Sequence, residues 1–203
     1  MKQKFKVPWK TFKGTKKLSN IKTFVINLKR RHDRLLKLQE NIPISNYEVF
    51  EAIDGSLIDN PSSLKPGEYG AARSHYKLWE QCVSLNEPLL IIEDDAQFKY
   101  NFNEILESLE FPEKSIIFLG GSPNGFSNIN KKTINDVLCL KVAPRWLRLE
   151  CYIIFPQLAK ELLKSYKFDL PIDVFLNNFT KEIYLLKNEI TYPGDSRKDS
   201  DTL

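Results

Sequence analysis

Two histidines and three cysteines are the whole stock of imidazole and thiolate metal ligands in this chain. No HExxH or CxxC spacing joins them, which sets a zinc centre aside. Cys82, Cys139 and Cys151 are odd in number, unclustered and set in apolar stretches. They read as buried thiols of a reducing compartment, not as a disulfide framework. No stretch approaches the roughly 20 apolar residues of a membrane span. The basic N-terminus is not followed by an apolar run, so no signal peptide is expected and the cytoplasm is the expected location. Glycine-rich GxGxxG and Walker-type loops are missing as well, which weakens dehydrogenase and NTPase readings.

What remains is ordinary globular material. The 203 residues are 42% hydrophobic and 28% charged, enough for one compact domain. The net charge of +4 hides an asymmetry: seven lysines and no acidic residue fall within the first twenty positions. Residues 1–20 therefore read as a basic, partly disordered extension, and 21–203 as the domain. Phe5, Trp9 and Phe12 interleave with the lysines, so the extension suits an anionic membrane surface. A nucleic-acid partner ranks lower, because the body has no basic patch as dense.

From Ile21 the pattern alternates strand and helix. Ile21–Leu28 reads as a buried strand, Arg31–Asn41 as a helix stopped by Pro43, and Tyr47–Ile53 as a second strand ending at Asp54-Gly55. Pro66–Leu85 is the longest predicted helix, with proline in its first turn. Leu89–Glu93 is apolar until its last residue, as suits a central parallel strand covered on both faces. Further on come a short helix over Asn103–Leu109 and a strand over Ser115–Leu119 ending in Gly120-Gly121-Ser122. Pro123–Thr133 reads as a loop; Val137–Val142 and Leu149–Phe155 read as strands. Helices over Gln157–Tyr166 and Ile172–Phe179, then a strand over Ile183–Ile190, complete the series. The alternation predicts an α/β fold with a mostly parallel sheet flanked by helices.

Such sheets bind ligands in the crevice outside the carboxyl ends of their strands. Polar residues cluster there: Asn27 with Arg30 and Arg31, Asp54 with Gly55, Glu93-Asp94-Asp95, and Gly120–Ser122. Three adjacent carboxylates after an apolar strand would repel one another unless a divalent cation relieved them. In extended backbone Glu93 and Asp95 share a side and could jointly hold Mn²⁺ or Mg²⁺. A solvated acidic turn is the plain alternative. Arg31 and Arg34 lie on the core-facing side of the helix start, where guanidinium and free N–H groups suit a diphosphate. Alternatively they pair with Glu51 or Asp54. His75 borders the apolar stripe of Ala72, Tyr76, Trp79 and Val83, and reads first as a hydrogen-bonded core residue, second as a catalyst. Asp173, near a helix start, is either an N-cap or a general base for an acceptor hydroxyl.

In combination, VINLKRRHDRL (Val25–Leu35), FEAIDG (Phe50–Gly55), GEYGAARSHYKLWE (Gly67–Glu80) and LLIIEDDAQF (Leu89–Phe98) resemble glycosyltransferase family 25. LPIDVFL (Leu170–Leu176) and YPGDSRKDSD (Tyr192–Asp201) are weaker matches. The resemblance implies a GT-A-like, Rossmann-type nucleotide-sugar domain that moves galactose or glucose from a UDP-sugar to a hydroxyl acceptor such as a glycan, with inversion. It implies Glu93 and Asp95 as metal ligands and Asp94 beside the donor. The Arg31, Arg34 and Asp54 segments would face the nucleotide, with Asn27, Gly55 and His75 in the same crevice. Asp95 and Asp173 are the residues expected at the reacting centre. A non-catalytic binding module of the same fold is the rival.

Overall fold

The computed structural model describes residues 15–17, 20–112, 114–120, 131–134, 137–141, 149–179, 183–186 and 190–194. Its first half contains β1 (Thr15–Lys17), β2 (Lys22–Asn27), α1 (His32–Gln39), β3 (Glu48–Glu51), α2 (Pro66–Leu85), β4 (Leu89–Glu93) and β5 (Ala96–Phe98). The middle adds α3 (Phe102–Ser108), β6 (Glu110–Pro112), β7 (Ile116–Phe118), β8 (Lys131–Ile134) and β9 (Val137–Lys141). Then come β10 (Cys151–Ile154), α4 (Pro156–Ser165), α5 (Ile172–Asn178), β11 (Ile183–Leu186) and β12 (Thr191–Pro193).

One sheet in the order β3-β2-β4-β10-β7-β11-β9-β8 organises the domain. Helices cover both of its faces, so the α/β expectation holds. The sheet is mixed: β3, β2 and β4 run parallel, as do β7 and β11, but β10 lies antiparallel between β4 and β7. Strand β9 also runs antiparallel, to both β11 and β8. The apolar run Leu89–Ile92 reported burial on both faces, and burial carries no information about the direction of the neighbouring strand.

Alternation along each strand divides the core into two layers. Phe24, Ile26, Leu89, Ile91, Tyr152 and Ile154 pack with α2, α4 and α5. Val25, Leu90, Ile92, Cys151 and Ile153 face the other way, with Leu38 of α1 and Phe102 and Leu106 of α3. Fully burying each large aliphatic side chain is worth about 1.5–3 kcal/mol. Cys82 and Cys151 are buried free thiols, the first pushed up to about 12 by burial. Among the described residues no helix is long and apolar enough to cross a membrane.

Helix α2 begins at Pro66, with Lys65 N–H donating to Glu68 Oε2 at 3.0 Å, and stops at Asn86 in the left-handed region (φ 53°). Three short pairs were not expected from the sequence: β1 with β6, β5 with β12, and β8 with β9, where the end of the Pro123–Thr133 stretch forms a strand instead of a loop. Strand β1 gives the end of the basic segment a place in the fold, while residues 1–14 lie outside the described ones. So do most of the Pro123–Thr133 loop and the tail from Asp195.

Candidate active site

Strands β2, β3 and β4 are parallel, so their carboxyl ends reach one edge of the sheet together. A cavity of about 330 Å³ opens there, lined by these strand ends and the first turns of α2. Arg30, Arg34, Asp54, Gly55, His75, Glu93, Asp94 and Asp95 all line it. All three carboxylates of the acidic run thus face one cleft.

The mutual repulsion of those carboxylates is relieved within the chain itself. Arg34, on α1, donates from Nη1 to Asp94 Oδ1 at 2.9 Å and places Nη2 3.5 Å from Asp95 Oδ2. Asn27 donates its amide to Asp94 Oδ2 at 2.7 Å and to the Arg31 carbonyl at 3.0 Å. Asp94 is therefore held from both sides in a buried setting. Burial pushes its carboxyl up to about 6, against the lowering pull of Arg34 and Asn27.

Glu93 ends β4 on the opposite face, where its Oε1 lies 3.1 Å from His75 Nε2. The period-two expectation stops at this residue, because 94–95 form a turn into β5. Asp95 consequently sides with Asp94 and Arg34 rather than with Glu93, though both outer carboxylates still face the cavity. Gly194 N–H donates to the Asp95 carbonyl at 2.7 Å, so the β12 segment closes behind the turn.

The second wall is the loop after β3. Asp54 Oδ1 accepts from both the backbone N–H and the hydroxyl of Ser56, at 3.0 and 2.6 Å, and Oδ2 accepts from Arg30 Nε at 2.8 Å. The Ser56 hydroxyl, then Arg30, hold the Asp54 carboxyl down at about 2. Gly55 lies against the Pro66 carbonyl, where a Cβ has no room, so the loop seats directly on the start of α2. Ser74 ties the same joint: its Oγ accepts from Ile53 N–H at 2.9 Å and donates to the Gly70 carbonyl at 2.8 Å.

Other expected site residues fall elsewhere. Arg31 precedes the first helical residue and turns to Asp33, with Nε 3.1 Å from Oδ1, so it does not line the cavity. Asn27 is also outside the lining and acts through Asp94. Asp173 is the second residue of α5, not its N-cap, and its Oδ1 accepts from Val174 N–H at 2.8 Å. Burial raises its carboxyl, with Glu93 and Glu68 adding to the rise. It therefore lies within electrostatic reach of Glu93, on the α2 side of the sheet, without lining the cavity. Ser74 was overlooked, being one small polar residue amid a helix stripe. Arg30, in the polar cluster after the first strand, was visible but unassigned.

Glu93 and Asp95 suit a hard divalent cation on the chemistry of their donors. Both carboxylates stay partly open, at 31% and 19% exposure, whereas Asp94 is committed to Arg34 and Asn27. Among the described residues no three His, Cys, Asp or Glu side chains form a ready cage. Two carboxylates completed by phosphate and water are a normal set for Mg²⁺.

Residues 20–176 match the profile of glycosyltransferase family 25, described as an LPS biosynthesis protein family. "Putative glycosyltransferase R655" of Acanthamoeba polyphaga mimivirus is 33% identical over 129 residues, 53% of this chain and 40% of that one. Procollagen galactosyltransferase 2 of Mus musculus is 27% identical over 183 residues, 75% of this chain and 29% of its own length. Inactive glycosyltransferase 25 family member 3 of Homo sapiens is 30% identical over 120 residues, 48% of this chain and 20% of that protein. The chain thus spans less than half the length of each of these relatives. The family profile covers most of the domain, including every residue of the cavity, and the chain belongs to glycosyltransferase family 25.

Proposed function

We propose that the chain is a cytoplasmic glycosyltransferase that moves galactose or glucose from a UDP-sugar to a hydroxyl of a glycan-type acceptor, with inversion, in a GT-A-type domain. The observation that carries this reading is one cavity at three parallel strand ends, holding two partly open carboxylates beside Arg34 and Arg30. Its volume lies at the low end of small-molecule sites.

Glu93 and Asp95 are the ligands for Mn²⁺ or Mg²⁺. A divalent cation, when bound there, neutralises charge that develops on the departing diphosphate, a contribution of several kcal/mol. Arg34 keeps Asp94 and Asp95 fixed, and Arg30 brings a second guanidinium to the cavity wall, held by Asp54. Fixed donors of this kind need no rearrangement as charge builds up. Asp173 accepts the proton of the acceptor hydroxyl as that oxygen attacks the anomeric carbon. Its raised carboxyl makes it a better base than an exposed aspartate. The acceptor then enters from the α5 side.

Titration of the chain with UDP-galactose and UDP-glucose, with and without Mn²⁺, tests the reading by thermal shift and by UDP release. Metal-dependent stabilisation and liberated UDP are expected, both lost in Asp95→Ala. Asp173→Asn should keep donor binding and lose turnover. Transfer retained by Asp95→Ala removes the metal role.

One observation favours a second reading, a non-catalytic binding module. Arg34 already neutralises part of the acidic run, and a relative is named inactive. Donor binding without any UDP release would select it.

A further inference from the structure

His75 is buried to 1% exposure, yet it belongs to the cavity lining and its ring lies against Glu93. Three contacts run in series from the core. Trp79 Nε1 lies 3.0 Å from the Tyr152 hydroxyl, that hydroxyl 2.9 Å from His75 Nδ1, and His75 Nε2 3.1 Å from Glu93 Oε1. An indole N–H can only donate. Tyr152 therefore accepts from Trp79, and its own hydrogen needs a different acceptor. Among the described residues the only other contact of that hydroxyl is His75 Nδ1. Tyr152 and Trp79 are fully buried, which leaves the hydroxyl no route to bulk water. Burial also raises the phenol well above its ordinary range, so the hydrogen is there to be donated.

With Nδ1 accepting, the ring proton sits on Nε2 and points at Glu93. We propose that Trp79, Tyr152 and His75 form a one-way hydrogen-bond chain that fixes His75 with its proton on Nε2 and aims the Glu93 carboxylate into the cavity. Trp79 and Tyr152 are positioning residues, built into α2 and β10, whose effect reaches the cleft only through His75. The chain of bonds stands on geometry alone; its consequence for cation binding rests on the reading of Glu93 as a metal ligand.

The test uses the full chain with ¹⁵N-labelled histidine. Only His32 and His75 contribute, and His32→Gln separates them. Long-range proton–nitrogen spectra should show His75 with a pyridine-type Nδ1 and a pyrrole-type Nε2. Tyr152→Phe keeps the ring and deletes the donor, so the two nitrogens should shift toward a tautomer mixture. Trp79→Phe should shift them less. In parallel, Mn²⁺ affinity measured by spin resonance should fall about 10- to 100-fold in Tyr152→Phe, the range for partners that orient a metal ligand. A proton on Nδ1 in the wild-type protein overturns the directed chain without any variant. The expected tautomer with Mn²⁺ affinity unchanged in Tyr152→Phe overturns the positioning role. A wild-type protein that takes up no Mn²⁺ defeats the metal reading instead, and the nitrogen spectra alone then decide the chain of bonds.

Discussion

The two halves of the sheet do different work. Every cavity-lining residue falls between Ile26 and Asp95, on the parallel trio β3-β2-β4 and its helices. The half built on β10 and β7 contributes buried apolar strands: Ile116–Phe118 and Tyr152–Ile154 are fully covered. Strand direction explains the division. Parallel strands bring their carboxyl ends to one edge, where polar side chains can meet a ligand. Antiparallel β10 instead brings its beginning there: Glu93 N–H donates to the carbonyl of Glu150, just ahead of the strand, at 2.9 Å, and the Tyr152 side chain touches the lining through His75. Chemistry sits on one half, and the other backs it.

The strongest way to break this comparison is to hollow out the backing. Ile153→Ala removes a fully buried side chain between β4 and β7 that is not part of the lining. Urea unfolding should show a loss of about 2–5 kcal/mol. Donor affinity of the folded fraction should stay near the wild-type value. A loss below about 1 kcal/mol would mean that β10 is not the backing strand it resembles. Next in size is Arg34→Met on the chemical half. Breaking a buried pair costs up to about 3–5 kcal/mol when a charge is left alone. Asp94 is already held at about 6, so it escapes by taking up a proton, and a cost of about 2 kcal/mol at neutral pH is expected. Adding Asp94→Asn should restore much of that loss. Strictly additive losses in the double variant would sink the pairing.

The same division governs what the sequence shows. The parallel half was legible because its signals are local: an apolar run, a proline-started helix that matches Pro66–Leu85 end for end, and polar residues at strand ends. Those signals also led to Arg34, Asp54 and the acidic run. They did not give the partners. That Arg34 would choose Asp94, 60 positions away, depends on a turn at 94–95 that an extended reading missed. Arg31, expected in the cleft, is not among its lining residues: its helix starts one residue later and Asp33 lies at hand. The direction of β10 left no mark at all, since a strand buried on both faces reads alike in either direction. The Trp79–Tyr152–His75 series was invisible for the same reason: two of its members read as plain core until β10 is set beside β4.

The smallest effect is the most discriminating, because two carboxylates of one cavity should titrate with opposite sign. Asp54 is held at about 2, below the value of about 3.9 in an unfolded chain. Between those values the unfolded state binds more protons, so stability rises with pH. Asp54 thus contributes fully above about pH 4 and loses its contribution as pH falls through about 2. Asp94 behaves in reverse: its native carboxyl keeps a proton up to about 6, so stability falls as pH rises from about 4 to 6. Urea midpoints taken across pH separate the two. Asp54→Asn should cost less than about 1 kcal/mol at neutral pH, because Arg30 is half exposed and water screens the pair. Its curve should meet the wild-type curve near pH 2. Asp94→Asn should flatten the decline between pH 4 and 6 and leave the acid limb intact. Two variants whose curves run parallel to the wild type would show that neither carboxylate is held as the cavity geometry requires.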